Sequence, residues 1–207
     1  MTEQQRSVTN VARRAQIVRA AIEVLAESGY AGASFARITK HAGLSSPRMV
    51  SYHFRDKDDL VQQVLIEVFT AGAQAILERM AQETTLRGKL VGYLEANLRF
   101  VHDHPQDVAA LTAIGPYVRK PDGEHYDQQS SREVSVHGLE GLLAEGQRSG
   151  DFQDFDIRSM AVAIRGAVDA APAQFHGTPA LDLDTYTREL VALFTARIVA
   201  SGIEEDQ

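Results

Sequence analysis

The stretch GYAGASFARITKHAGLSSPRMVSYHFRDKDDL, residues 29–60, holds two short helical patterns that meet at a glycine-bearing turn. Ser34 predicts the cap of a helix over 35–42, because its hydroxyl can accept from an otherwise unpaired backbone N–H. Phe35, Ile38 and Ala42 share one face of that helix, while Arg37 and Lys40 point outward. Gly43 can take the left-handed conformation that ends it, letting Leu44 pack back. Ser46 is the expected cap of the next helix, with Pro47 at its first position, where a missing N–H costs nothing. Met49, Val50 and Phe54 are its expected buried anchors, which leaves Ser45, Ser46, Arg48, Ser51, Tyr52 and His53 outside. A second helix so short and so polar at its start suits a DNA major groove better than a core. Asp56 then caps a long helix from Lys57, with Asp59 three residues on as a short relative of the capping box.

Charge supports this independently. The 207 residues carry a net charge of −7, which taken whole argues against a polyanionic partner. Residues 1–57 hold nine Lys/Arg against four Asp/Glu, a net +5, and the remainder carries −12. A basic amino-terminal module on an acidic body suits phosphate binding at one end only. Screening acts over about 8 Å at physiological salt, so a distant acidic body need not abolish it. The absence of cysteine excludes disulfides and thiolate metal sites and fits a cytoplasmic setting. The polar first ten residues lack a signal-peptide core, and no unbroken run of about 18 apolar residues suggests a membrane span.

The rest of the chain reads as helices, so the expected class is all-α with about nine helices. The first is expected over 11–28, a fourth over 57–80, and others over 86–103, 105–118, 124–149, 157–175 and 184–201. The domain division follows as a helix-turn-helix DNA-binding domain over 1–57 and a larger helical regulatory and dimerisation domain over 58–207. Tyr93, Asn97, Phe100 and His104 fall on one helical face and could line a ligand pocket, or pack at a domain seam. Tyr117, Tyr126, His137 and Phe175 are further ligand-binding candidates. In the last two helices Met160, Ile164, Ala167, Val168 and Ala171, and Leu190, Leu193, Phe194 and Ile198, form apolar stripes. Each stripe could face a second subunit or its own core, and the pattern alone does not separate these. No phosphate loop, nucleophile elbow or HExxH motif occurs, so neither a catalytic role nor a metal or other cofactor is expected. A helical module docking protein through its helix-turn-helix is the alternative to a DNA binder.

Residues 10–62 resemble the amino-terminal domain of the TetR (tetracycline-repressor-like) family of bacterial transcription regulators. Arg14, Ile17, Ala20 and Ala21 match its opening, then Gly29, Tyr30, Ala33 and Ser34. Ile38, Ala42, Gly43, Leu44 and Ser45 follow, and Tyr52, His53, Phe54, Lys57 and Leu60 close the match. The chain departs in three places. It is one residue longer between Ser45 and Phe54 than the commonest family form, Ser51 stands where many members carry tyrosine, and Thr39 replaces an alanine.

The resemblance implies a homodimer formed through the last two helices, a palindromic operator in double-stranded DNA, and release by a small-molecule inducer, most often as a repressor. It also implies phosphate contacts from Tyr52, His53 and Lys57. Arg48 is the expected base reader, its guanidinium matching guanine O6 and N7. Ser45, Ser46 and Ser51 are expected to add base or phosphate contacts, and Ser34, Arg37 and Pro47 complete the expected DNA face. Arg13 or Arg14 is expected to reach the DNA backbone from the first helix.

Overall fold

The structure is a computed structural model that describes residues 3–118, 128–175, 177 and 180–199. Among the described residues it has nine α-helices, and the β-pairing consists of one isolated antiparallel bridge, Phe152 with Val199. The helices are α1 (Glu3–Gly32), α2 (Phe35–His41), α3 (Arg48–His53), α4 (Lys57–Ala81), α5 (Leu86–Asp103), α6 (Pro105–Ile114), α7 (Gln128–Ser149), α8 (Ile157–Phe175) and α9 (Leu183–Ile198). A 3-10 turn, Gly115–Tyr117, follows α6.

Most boundaries follow local chemistry. Gly29 breaks α1 with φ 67° and ψ 178°, so its regular part ends at Ser28. The helix begins well before residue 11, because Glu, Gln and Arg favour helix and nothing interrupts them. Ser34 caps α2 by accepting from Arg37 N–H at 3.2 Å. At the other end Gly43 has φ 65°, Leu44 N–H reaches Thr39 O at 2.9 Å, and α2 closes as expected of a left-handed glycine. Ser34→Ala should therefore cost about 1 kcal/mol, read as a small fall in melting temperature. A melting temperature unchanged by this substitution would show that the cap contributes nothing.

The chain forms two compact units, Met1–Ala71 with Pro105–Asp127 and Gly72–His104 with Gln128–Gln207. The first is built on α1, whose Ile17, Ala21, Val24 and Leu25 are buried together with Ile38, Val50, Phe54, Leu60 and Val64. α6 belongs to this unit: Arg19 of α1 holds the buried carboxylate of Asp107 at 2.8 Å, and Ile114 is wholly buried. Among the described residues α4 is long and apolar enough, by length and composition alone, to cross a membrane, which a search for an unbroken apolar run passes over. Its Leu60, Val61, Val64, Leu65 and Val68 are, however, buried by this chain itself.

The core of the second unit joins Leu90 and Leu94 of α5, Leu139 and Leu143 of α7, Ala161, Ile164 and Val168 of α8, and Phe194 and Ile198 of α9. A smaller cluster joins Leu98, Ala171, Phe175 and Leu183. This corrects the expectation for the last two helices. Ile164, Val168, Ala171 and Ile198 are fully covered by their own chain, Phe194 nearly so, and Met160, Ala167 and Leu190 are half-buried against the same clusters. Their small and branched side chains let α8 pack closely against its own neighbours, so these stripes face inward. Of the expected interface residues, Leu193 stays open to solvent at 62 % exposure.

Candidate nucleic-acid interface

α3 is held at both ends and along its inner side. Ser46 Oγ accepts from Arg48 N–H at 3.2 Å, and Pro47 already has helical dihedral angles, φ −57° and ψ −23°. Val50 N–H bonds Pro47 O at 3.0 Å, and Phe54 N–H bonds Val50 O at 2.9 Å. Val50 and Phe54 are fully buried and Met49 half-buried. With about 100° between successive residues, the anchor at 50 turns 48 and 52 to the opposite side and leaves 51 on the flank. Arg48, Ser51 and Tyr52 are exposed, Tyr52 at 77 %.

The Arg48 guanidinium makes no hydrogen bond, ion pair or ring contact with the described residues. Ser45, Pro47, Ser34 and Arg37 are also exposed, and Ser46 is half-buried through its capping role. Ser45 Oγ lies 3.4 Å from Met49 Sδ, and Ser51 Oγ 3.4 Å from Pro47 O, long contacts that leave both hydroxyls available.

Arg14 has a different use from the expected one. Its guanidinium donates to His53 O at 2.7 Å and Gln63 Oε1 at 3.0 Å, and lies 4.2 Å from the centre of the Phe54 ring. It fastens the end of α3 to α1 and α4, and is not presented for an external phosphate. Arg13 bonds Gln16 on its own helix at 2.7 Å. His53 is half-buried, and burial, then the charges of Arg14 and Arg13, hold its imidazole below the ordinary value.

Lys57 heads α4. Its ammonium donates to Tyr30 O and sits 3.8 Å from the centre of the Tyr30 ring, and burial lowers its pKa. An ammonium has three donors, so this leaves N–H groups for a phosphate. Tyr30 in turn bonds Asp58 through its hydroxyl at 2.8 Å, and its pKa is pushed up to about 12 by burial and by that carboxylate. Asp56 caps α4, accepting from Asp59 N–H at 2.8 Å, while Asp59 reaches back to Arg55 N–H at 3.0 Å. Tyr117 stacks on Tyr30 with ring centres 3.9 Å apart and planes 8° from parallel. Tyr117 was expected among ligand-binding residues; it belongs instead to the first unit, because the 3-10 turn after α6 returns the chain to α1.

The other ligand candidates do not form one wall. Tyr93 and Asn97 are buried in the second unit, where Asn97 Nδ2 donates to Tyr93 O at 2.8 Å. Phe100, one turn on, stacks on His104 at 4.5 Å, and His104 is exposed at the end of α5. His137 is exposed, with its Nδ1 2.9 Å from Glu133 O. Phe175 is a core residue edge-on to Tyr186 at 5.8 Å. Tyr126 lies outside the described residues.

The sequence reading missed Arg165. Its side chain is only 18 % exposed, with Nη1 donating to Asn97 Oδ1 at 3.2 Å and Nε to Asp169 Oδ1 at 2.7 Å. Burial opposes its charge, but the bond to Asp169 and the nearness of Tyr93 outweigh that, so its pKa is raised. The available signal was an Arg-x-x-x-Asp pair inside an otherwise apolar helix.

Residues 17–64 match the family described as bacterial regulatory proteins, tetR family. The chain is 29% identical over 163 residues to the fatty acid metabolism regulator protein of Bacillus subtilis (strain 168), covering 74% of this chain and 78% of that one. In fold it is similar to a bacterial regulatory protein in the tetR family from Rhodococcus RHA1, with TM-score 0.75, 21% identity, and 91% and 98% of the two chains covered. It is also similar in fold to AibR, solved in complex with isovaleryl coenzyme A and operator DNA, with TM-score 0.72, 15% identity, and 87% and 97% covered. The helix-turn-helix with its outward Arg48 face agrees with the tetR-family match over residues 17–64, and the all-helical chain is similar in fold to solved tetR-family structures.

Proposed function

We propose that this chain is a ligand-responsive repressor that binds a palindromic operator as a homodimer and leaves it when a small molecule binds. The observation that carries the reading is the α3 face: Arg48, Ser51 and Tyr52 stand exposed on a helix fixed by buried Val50 and Phe54. Tyr52, His53 and Lys57 take the phosphates, with Ser45, Ser46 and Ser51 beside them and Ser34, Arg37 and Pro47 at the rim. The functional division falls at Lys57, with residues 1–57 reading DNA and 58–207 sensing and pairing. Binding takes place in the cytoplasm, where the DNA is.

The homodimer uses the outer faces of α8 and α9. Val162, Ala163, Ala170 and Ala173 are exposed on α8, and Ala192, Leu193 and Ala196 on α9. These small side chains allow close helix approach, and Leu193 supplies an apolar anchor. A two-fold pair would set two α3 helices about 34–36 Å apart, one turn of DNA or slightly more. AibR, solved with both an acyl thioester and its operator, supports the coupling of ligand and DNA binding. An inducer acts only through its different affinities for the two states, and moving 1:99 to 99:1 takes about 5.5 kcal/mol.

Selection of genomic fragments followed by footprinting tests the reading. A protected palindrome supports it, whereas failure to retain any duplex at low salt overturns it. Lys57→Ala should weaken operator and random DNA together and flatten the dependence of log K on log salt by about 1. An unchanged slope would remove Lys57 from the phosphate contacts.

A further inference from the structure

We propose that the second unit binds a small organic anion with an apolar body, its charged end held by Arg165 and the Tyr93 hydroxyl, with Asn97 positioning the guanidinium. The inference deepens the proposed function by naming the chemical class of the inducer, and it rests on that reading. The Tyr93 hydroxyl is the starting point. Tyr93 is more than nine-tenths buried, and its hydroxyl meets no partner at full hydrogen-bond geometry among the described residues, although it lies near enough to Arg165 to help raise that guanidinium's pKa. A buried hydroxyl without a well-formed hydrogen bond costs about 1–3 kcal/mol, so it calls for an acceptor that neither the apolar core nor the donor-only guanidinium supplies.

The neighbouring charges indicate the sign of that occupant. Asp169 is shared by two guanidinium groups, Arg165 at 2.7 Å and Arg132 at 2.8 Å. One carboxylate against two arginines leaves one positive charge without a counter-charge among the described residues. Arg165 has five N–H donors: one goes to Asn97 from Nη1, while Asp169 takes Nε and pairs with Nη2. Each terminal nitrogen therefore keeps a donor, and a carboxylate is the acceptor whose two oxygens fit that fork. Asn97 Nδ2 is fixed on Tyr93 O, so its Oδ1 orients the guanidinium. Leu90, Leu94, Ala161, Ile164 and Val168 belong to the same buried cluster as Tyr93 and would supply the apolar side. Arg132 and Asp169 are partly exposed, so the polar end of the group opens to solvent.

Calorimetry on the full chain without DNA tests this with octanoate, neutral octanol and octanoyl coenzyme A as probes. Octanoate should bind at least roughly tenfold more tightly than octanol, the difference of one charge-assisted contact. Arg165→Met should remove that preference. Because this substitution strands Asp169, Tyr93→Phe is the second variant: it deletes only the buried hydroxyl. Tyr93→Phe should leave the melting temperature unchanged or raised, yet weaken octanoate roughly tenfold and leave octanol unaffected. A structural role for Tyr93 would not move octanoate affinity. Equal affinity for octanoate and octanol, no octanoate binding at millimolar concentration, or binding of the thioester but not the acid would each overturn the proposal. DNA retention is measured separately, so failure here leaves the operator reading standing, and failure there leaves the anion site standing.

Discussion

Phe54→Ala should destabilise the first unit by about 3–5 kcal/mol, a large part of what holds a small domain folded. Phe54 is fully buried, and its ring is the surface on which Arg14 rests at 4.2 Å. The substitution opens a cavity beneath α3 and removes the aromatic face that Arg14 uses while reaching His53 O and Gln63 Oε1. Both losses act on the same few residues, so the end of α3 frays before the rest of the helix. Urea unfolding should show a markedly lower midpoint, and DNA binding should fall on every sequence alike. Phe54→Leu separates the contributions: it restores most of the volume but not the cation–π contact, worth about 0.5–2 kcal/mol. Arg14→Lys should resemble the leucine variant, since one ammonium cannot serve two acceptors and a ring with the geometry of a planar fork. A midpoint for Phe54→Ala within the error of the parent would mean that α3 is mounted by something other than its buried side.

Legibility divided along a physical line. Helix type, turn and caps depend on a few consecutive residues, so Ser34, Gly43 and Asp56 could be read directly and act as they read. Ser46 does so in part: its hydroxyl accepts from Arg48 N–H, but α3 begins one residue later than read, with Pro47 in the cap position. Contacts distant along the chain were harder. Arg14 and His53 are 39 positions apart, and nothing near Arg14 says that its guanidinium is taken up inside. The stack of Tyr117 on Tyr30 depends on α6 returning to α1, which no local pattern encodes. The stripes on α8 and α9 illustrate a further limit: an apolar face reports that it is buried, never by which chain. Arg165 was passed over because a single charge in an apolar helix reads as an exception to the pattern, and only its distant neighbours Tyr93 and Asn97 give it a role.

Arg48→Ala is the functional counterpart, with an expected loss of about 1–3 kcal/mol on the operator, or roughly 5- to 150-fold, and little change on random duplex. The argument is geometric before it is chemical. Arg48 lies in the first turn of α3, the part of a recognition helix that meets base edges, and its backbone N–H is tied to Ser46. Val50 and Phe54 prevent the helix from rolling, so the direction of the Arg48 side chain is set before DNA arrives. Its guanidinium has no partner to give up among the described residues, so binding a guanine costs only its own ordering and desolvation. Arg48→Lys sharpens the test, because it keeps the charge and discards the bidentate fork. A phosphate contact would survive that exchange nearly intact, whereas a base contact would lose most of its discrimination. Binding measured on the operator, on an operator altered at one guanine, and on random duplex decides between them. If Arg48→Ala weakens all three equally, Arg48 serves the backbone, and base reading must pass to Ser45, Ser51 or Tyr52.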